Sequence, residues 1–150
     1  MGLGWPRTCG GCGNTSFVNP LPVAVLLVPV DGGLLTVRRG ISPGLGELAL
    51  PGGFIDVGET WQEAAVRELR EESGVVLDAG GVRLFDVHSA PDGTVLVFGA
   101  VDEVASKDLP EFAPTDETTE RVVIDGPRDL AFPLQTLAAR NFFARPQGPT

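Results

Sequence analysis

Residues 53–75 read GFIDVGETWQEAAVRELREESGV, and the reading of this stretch decides the rest. From Thr60 to Ser73 there is no Gly or Pro and helix formers dominate, so the segment is expected to be a helix. Thr60 followed three residues later by Glu63 has the form of a capping box, in which each residue satisfies the other's backbone N–H. Gly74 stands where a left-handed C-cap belongs. On such a helix Glu68, Glu71 and Glu72 fall within an arc of about 100°. Like charges at this spacing destabilise an exposed helix. A hard divalent cation with a preference for oxygen ligands removes the conflict.

The neighbouring residues take roles from the same helical wheel. Arg67 lies four residues after Glu63 and four before Glu71, so it can pair with either. It is read as orienting a ligand carboxylate in preference to a surface ion pair of little worth. Val66 and Leu69 are expected to anchor the helix to a sheet. Ala64 and Ala65 are expected to leave room for a substrate or loop. Gly52 and Gly53, before the helix, permit tight turns and close approach of a phosphate or metal.

Outward from the helix the pattern is that of strands. Val23–Val30 is an apolar run, Asp31-Gly32-Gly33 a hairpin turn, and Leu34–Arg38 its return. Glu47–Leu50 reads as a short strand. Val82–His88 and Thr94–Val101 flank the turn Ala90-Pro91-Asp92-Gly93. Arg121–Ile124 reads as a last strand and Pro133–Arg145 as a closing helix. Strands mixed with one central and one terminal helix indicate an α/β/α sandwich or α+β architecture. Residues 1–20, rich in Gly, Pro and Asn, read as an irregular arm.

Composition narrows the partners. The 150 residues suit one domain. The net charge of −9 excludes a basic grip on a nucleic-acid polymer. It allows a small phosphorylated substrate, since a bound cation supplies local positive charge. No apolar run reaches the roughly 18 residues of a membrane helix, and no signal peptide is seen, so a cytoplasmic location is the default expectation. Cys9 and Cys12 are the only cysteines, too few for a disulfide framework.

The stretch 53–75 resembles the Nudix box at every fixed position: Gly53, Glu59, Arg67, Glu68, Leu69, Glu71, Glu72, Gly74 and Val75. The resemblance implies an α/β fold of the Nudix type, a sandwich with a mixed sheet and a loop–helix–loop catalytic motif. It implies a hydrolase that uses Mg2+ or Mn2+ to cut the diphosphate bond of a nucleoside diphosphate derivative. The Gly53 carbonyl, Glu68, Glu71 and Glu72 would hold the metal, with Glu71 as ligand or base, and Glu59 would support the site. The alternatives are an NADH or (d)NTP pyrophosphatase, or a non-catalytic nucleotide-sensing module. An intact box and the want of a helix-turn-helix pattern after it speak for the enzyme.

The resemblance extends past the box. Cys9-Gly10-Gly11-Cys12-Gly13 and Asn19–Val23 look like the approach to the catalytic domain in NADH pyrophosphatase-like members, where a zinc ribbon precedes it. A zinc site needs four ligands, so residues 1–20 are read as a metal-free CxxC remnant ahead of a domain at 21–150. A homodimer sharing one zinc between two arms is the arrangement that supplies enough thiolates. The Pro- and Trp-containing array of the NADH branch is absent after the box. Pro91, sixteen residues after Val75, and Asp116–Glu120 resemble marks of ADP-ribose pyrophosphatases, whose loop glutamate serves as base; Glu117 and Glu120 are the candidates here. ADP-ribose or a similar nucleotide sugar is therefore the expected substrate. Pro91-Asp92-Gly93 is equally a turn in its own right. His88, Phe85, Phe98 and Phe112 are weaker candidates for substrate contact.

Overall fold

The computed structural model describes residues 4–145. Residues 1–3 of the expected arm and 146–150 of the expected domain lie outside the described residues. Two helices sandwich the strands. The chain runs β1 (Arg7–Thr8), β2 (Thr15–Ser16), β3 (Leu21–Leu27), β4 (Pro29–Val30), β5 (Gly33–Arg39), β6 (Leu48–Ala49) and β7 (Gly52–Phe54). Then come α1 (Trp61–Ser73), β8 (Arg83–Ser89), β9 (Thr94–Ala100), β10 (Thr118–Ile124) and α2 (Pro133–Ala144). One sheet has the order β7-β3-β9-β8, with β3 and β9 parallel and the other pairs antiparallel. In the other, β5 pairs with β10, β4 and β6.

Strand β3 shows why its run is apolar without interruption. Ala24 and Leu26 join the cluster that holds Ala64, Ala65 and Leu69 of α1. Val25 and Leu27 join the cluster that holds Ala138 and Ala139 of α2. Alternate side chains serve opposite faces, and both faces are covered, as in a sandwich of layers. Among the described residues, no helix is long and apolar enough to cross a membrane.

Three expectations need correction. The run Val23–Val30 is not one strand. It breaks after Leu27, and Pro29–Val30 pairs with β5 in the other sheet. Asp31 and Gly32 both have positive φ, 48° and 84°, the two-residue turn that an Asp-Gly pair favours. The arm is not wholly irregular either, because β1 and β2 form an antiparallel ribbon around the exposed Cys9 and Cys12. Ala64 and Ala65 do not face a substrate; both are fully buried against the sheet.

Candidate active site

The site is built where β7 meets α1. The cap forms as its residues dictate: Thr60 Oγ1 accepts from the Glu63 N–H, and Glu63 Oε1 accepts from the Thr60 N–H. Gly74 closes the helix in the left-handed conformation. This fixes the helical rotation that presents Glu68 and Glu72 to the Gly52–Gly53 backbone. Glu72 Oε2 accepts the Gly52 N–H at 3.0 Å. A Cβ built on Gly53 would stand 2.5 Å from the Glu68 carboxyl carbon, so only glycine admits this carboxylate.

Arg67 organises the rest. It does not pair with Glu63, which the cap consumes. Its Nε and Nη2 donate to Glu59 Oε2 and Oε1 at 3.0 and 2.6 Å. Nη2 also reaches the Phe54 carbonyl, and Nη1 reaches Glu68 Oε1 at 2.8 Å and Glu71 Oε2 at 3.3 Å. Hydrogen bonds from Arg67, then from the Asp56 N–H, hold the Glu59 carboxyl down to about 2. Glu59 first, then Glu68, raises Arg67 above its ordinary value against the cost of burial.

The helix carboxylates divide. Burial, then the charges of Glu71 and Glu117, pushes Glu68 up against the pull of Arg67. Burial pushes Glu72 up to about 8; the Gly52 N–H and Arg39 oppose this, while Glu68 and Glu117 add to it. Glu71 is turned outward onto Arg67, with half its side chain exposed. Among the described residues, no three acidic, cysteine or histidine side chains converge as a ready-made cation cage. The donors nonetheless fit a hard divalent cation. Glu68 and Glu72 offer carboxylate oxygens that are desolvated and crowded by like charge, and a cation would reverse both penalties.

Strand β10 brings in the remaining candidates. Thr118 pairs with Arg39 in register, and its Oγ1 donates to the Glu72 carbonyl at 2.9 Å. Glu117 accepts the Gly40 N–H on its backbone oxygen, while its carboxylate has no hydrogen bond to a described residue. Glu120 is taken by Arg38 at 2.8 Å. His88 bonds Asp86 at 2.9 Å, Phe98 is fully buried, Phe85 lies under Arg145, and Phe112 lies under Arg121. Pro91 sits in the hairpin turn closed by the Ala90 N–H to the Thr94 carbonyl. The sequence gives no sign of Arg39 or Thr118, because their place depends on a strand pairing between distant segments.

The NUDIX domain matches residues 19–145. An ADP-ribose pyrophosphatase of Methanocaldococcus jannaschii is 37% identical over 76 residues, 51% of this chain and 44% of that protein. The crystal structure of a NUDIX hydrolase from Nitrosomonas europaea superposes with a TM-score of 0.76 at 24% identity, covering 92% of this chain and 78% of that one. That of a bifunctional NMN adenylyltransferase/ADP ribose pyrophosphatase from Francisella tularensis, complexed with AMP and a Mn ion, superposes at 0.61 with 29% identity, covering 71% and 34%. The chain spans less than half the length of the curated relatives it matches.

Proposed function

The chain belongs to the Nudix family, and from that premise we propose that it hydrolyses the diphosphate bond of a nucleoside diphosphate derivative with a divalent cation. The observation that carries this reading is the crowding of Glu68 and Glu72 against Gly52 and Gly53, a pair of partly buried carboxylates of which only Glu68 has an ion pair, with Arg67, among the described residues. Mg2+ or Mn2+ bound there would neutralise the diphosphate oxygens and acidify water beside them.

The residues divide the remaining work. Glu68 and Glu72 hold the cation. Glu59, through Arg67, keeps Glu68 aimed at Gly53. Glu117, unpaired and within the field of Glu68 and Glu72, accepts the proton of the attacking water. Glu71, bonded to Arg67, serves orientation, and Glu120, paired with Arg38, lies outside the chemistry. In this reading residues 21–150 carry the activity, and residues 1–20 are an accessory arm without bound zinc.

ADP-ribose or a similar nucleotide sugar is the proposed substrate. The M. jannaschii relative bears that activity in its name, and the F. tularensis structure holds AMP and manganese. The NADH-type array is absent after the box. The test is kcat/KM for ADP-ribose, NADH and dGTP with magnesium, read as released nucleoside monophosphate, and repeated in excess chelator. ADP-ribose should lead, and chelator should abolish turnover. Hydrolysis of none of them, or full turnover in chelator, refutes the hydrolase reading. A lead of about tenfold for NADH or dGTP, worth about 1.4 kcal/mol, refutes the substrate.

A further inference from the structure

We propose that Cys9 and Cys12 form a thiol–disulfide exchange site at the tip of the N-terminal ribbon, which reacts with a small disulfide such as oxidised glutathione and closes to a Cys9–Cys12 bond. The proposal does not rest on the diphosphate-cleaving reading, in which these residues have no part.

The backbone brings the two thiols together. Strands β1 and β2 are antiparallel, with Arg7 opposite Ser16 and Thr8 opposite Thr15. The Cys9 N–H donates to the Asn14 carbonyl at 2.7 Å, and the Gly13 N–H returns to the Cys9 carbonyl at 2.9 Å. A bond from residue i+4 back to residue i is one helical turn that is not continued. Positions i and i+3 of such a turn lie on one side, about 5–6 Å apart at Cβ. Cys9 and Cys12 hold those positions, and a disulfide needs about 4 Å. The residues between them leave room for the turn to tighten. A Cβ on Gly10 would meet nothing within 4 Å, and one on Gly11 would meet the Cys9 sulfur at 3.9 Å. Gly13 closes the turn with a φ of 78°, a conformation that glycine adopts without strain.

The two sulfurs have different work. Both thiols are exposed, so a disulfide in solution reaches them. The Cys12 N–H, then the Cys12 thiol and the Gly11 N–H, hold the Cys9 thiol below the usual thiol range, and the thiolate is the attacking form. The Cys9 thiolate attacks one sulfur of the incoming disulfide, that S–S bond breaks, and the first thiolate leaves with the electron pair. Cys12 then gives its proton to water and attacks the Cys9 sulfur, and the second thiolate leaves. The chain gives up two electrons, and the small disulfide becomes two thiols. The sequence has no further cysteine, so the exchange ends within the pair. A tetrahedral cation would need four ligands. Among the described residues no third histidine, cysteine or carboxylate joins the two thiols, so one chain is complete as a dithiol and incomplete as such a metal site.

The test treats the reduced full chain with oxidised glutathione near neutral pH and follows intact mass and peptide maps. Wild type should lose two hydrogens, keep no glutathione, show a Cys9–Cys12 linked peptide, and return to the dithiol with dithiothreitol. Cys12→Ser should keep one glutathione on Cys9, the trapped mixed disulfide. Cys9→Ser should take up glutathione more slowly than C12S by about fivefold or more. In the unsubstituted chain, a limiting pulse of iodoacetamide should label Cys9 ahead of Cys12. Equal rates in the two variants, or equal labelling of the two thiols, would make them unrelated surface cysteines and overturn the proposal. So would a wild-type chain that stays reduced, one that keeps glutathione attached, or one whose disulfide joins two chains. Thiols that react only after a chelator has stripped a cation from them would overturn it in favour of a metal site shared between copies.

Discussion

Arg67 and Glu59 meet fork to fork, with hydrogen bonds of 3.0 and 2.6 Å, and the same guanidinium holds Glu68 at 2.8 Å. The Glu59 side chain is 17% exposed and that of Arg67 23%, so this pair is not a surface contact washed out by solvent. It links the loop before α1 to a proposed cation ligand. Lysine has no second edge with which to hold both carboxylates. Arg67→Lys should therefore fold but lose about 10–100-fold in activity, the range for residues that orient a ligand. Glu59→Gln should do the same, and the double variant should lose little more than either single one, since the two act as a unit. Steady-state kinetics on the four chains checks this; additive losses would show that the two act separately.

Glu59 and Glu72 should pull stability in opposite directions with pH. Glu59 falls to about 2 in the folded chain from an ordinary 4.5. Its contribution is present above about 4.5 and lost as pH falls toward about 2. Glu72 rises to about 8 from 4.5. Between those values the folded state keeps a proton that the unfolded state releases, so stability declines as pH rises, and the penalty is complete above about 8. Unfolding of the chelator-treated chain between about pH 5 and 9 should show that decline. Glu72→Gln should flatten it, remain folded, and lose most activity. Magnesium should stabilise wild type at the alkaline end far more than the variant. A pH slope unchanged in the variant would remove Glu72 as its source.

Glu117 and Glu120 separate by their partners. The Glu117 carboxylate is unpaired among the described residues and its charge acts on Glu68 and Glu72, whereas Glu120 is spent on Arg38. Glu117→Gln should lower kcat by about 10²–10⁴-fold, the usual loss of a general base, and flatten the pH profile of kcat. Glu120→Gln removes an exposed ion pair worth about 0–1 kcal/mol and should leave kcat near wild type. The reverse order would assign the base to Glu120.

The helix was legible because its signals are local. Thr60, Glu63 and Gly74 mark its ends within one turn of each boundary, and the carboxylate spacing follows from the helical repeat. What failed was non-local. Pro29 lies inside an apolar run, and only the sheet pairing reveals that the chain changes sheets there, where proline has no N–H for a central ladder. The two-residue strands at Arg7–Thr8 and Thr15–Ser16 are too short to carry a period. Ala64 and Ala65 were placed by their nearness to the glutamates, but their small size serves close contact with the sheet. Arg39 reaches the site through a strand pair that joins residues far apart in the chain. Its place next to Arg38 at a strand end looks like ordinary surface.

Adjacent glycines at 52 and 53 should answer alanine differently. A Cβ on Gly52 would stand 2.5 Å from the Ala24 carbonyl oxygen and 2.9 Å from the Val25 Cα. Both are backbone atoms of the neighbouring strand and cannot step aside. Gly52→Ala should therefore distort the β3–β7 pairing and, with it, the N–H that holds Glu72, lowering the melting temperature. The three atoms nearest a Cβ on Gly53 would all belong to the end of Glu68, the closest at 2.5 Å (Cδ) and 2.6 Å (Oε1). A flexible carboxylate can swing away, and no positive φ at this position opposes a side chain. Gly53→Ala should cost about 1 kcal/mol or less in stability while breaking the contact between Glu68 and Arg67. Activity should drop by about 10²-fold or more, because a displacement near 1 Å at a reacting centre has that effect. Melting curves and kcat for the two variants are the check. A Gly53→Ala chain with wild-type turnover would show that the position of Glu68 against Gly53 is not needed for the reaction.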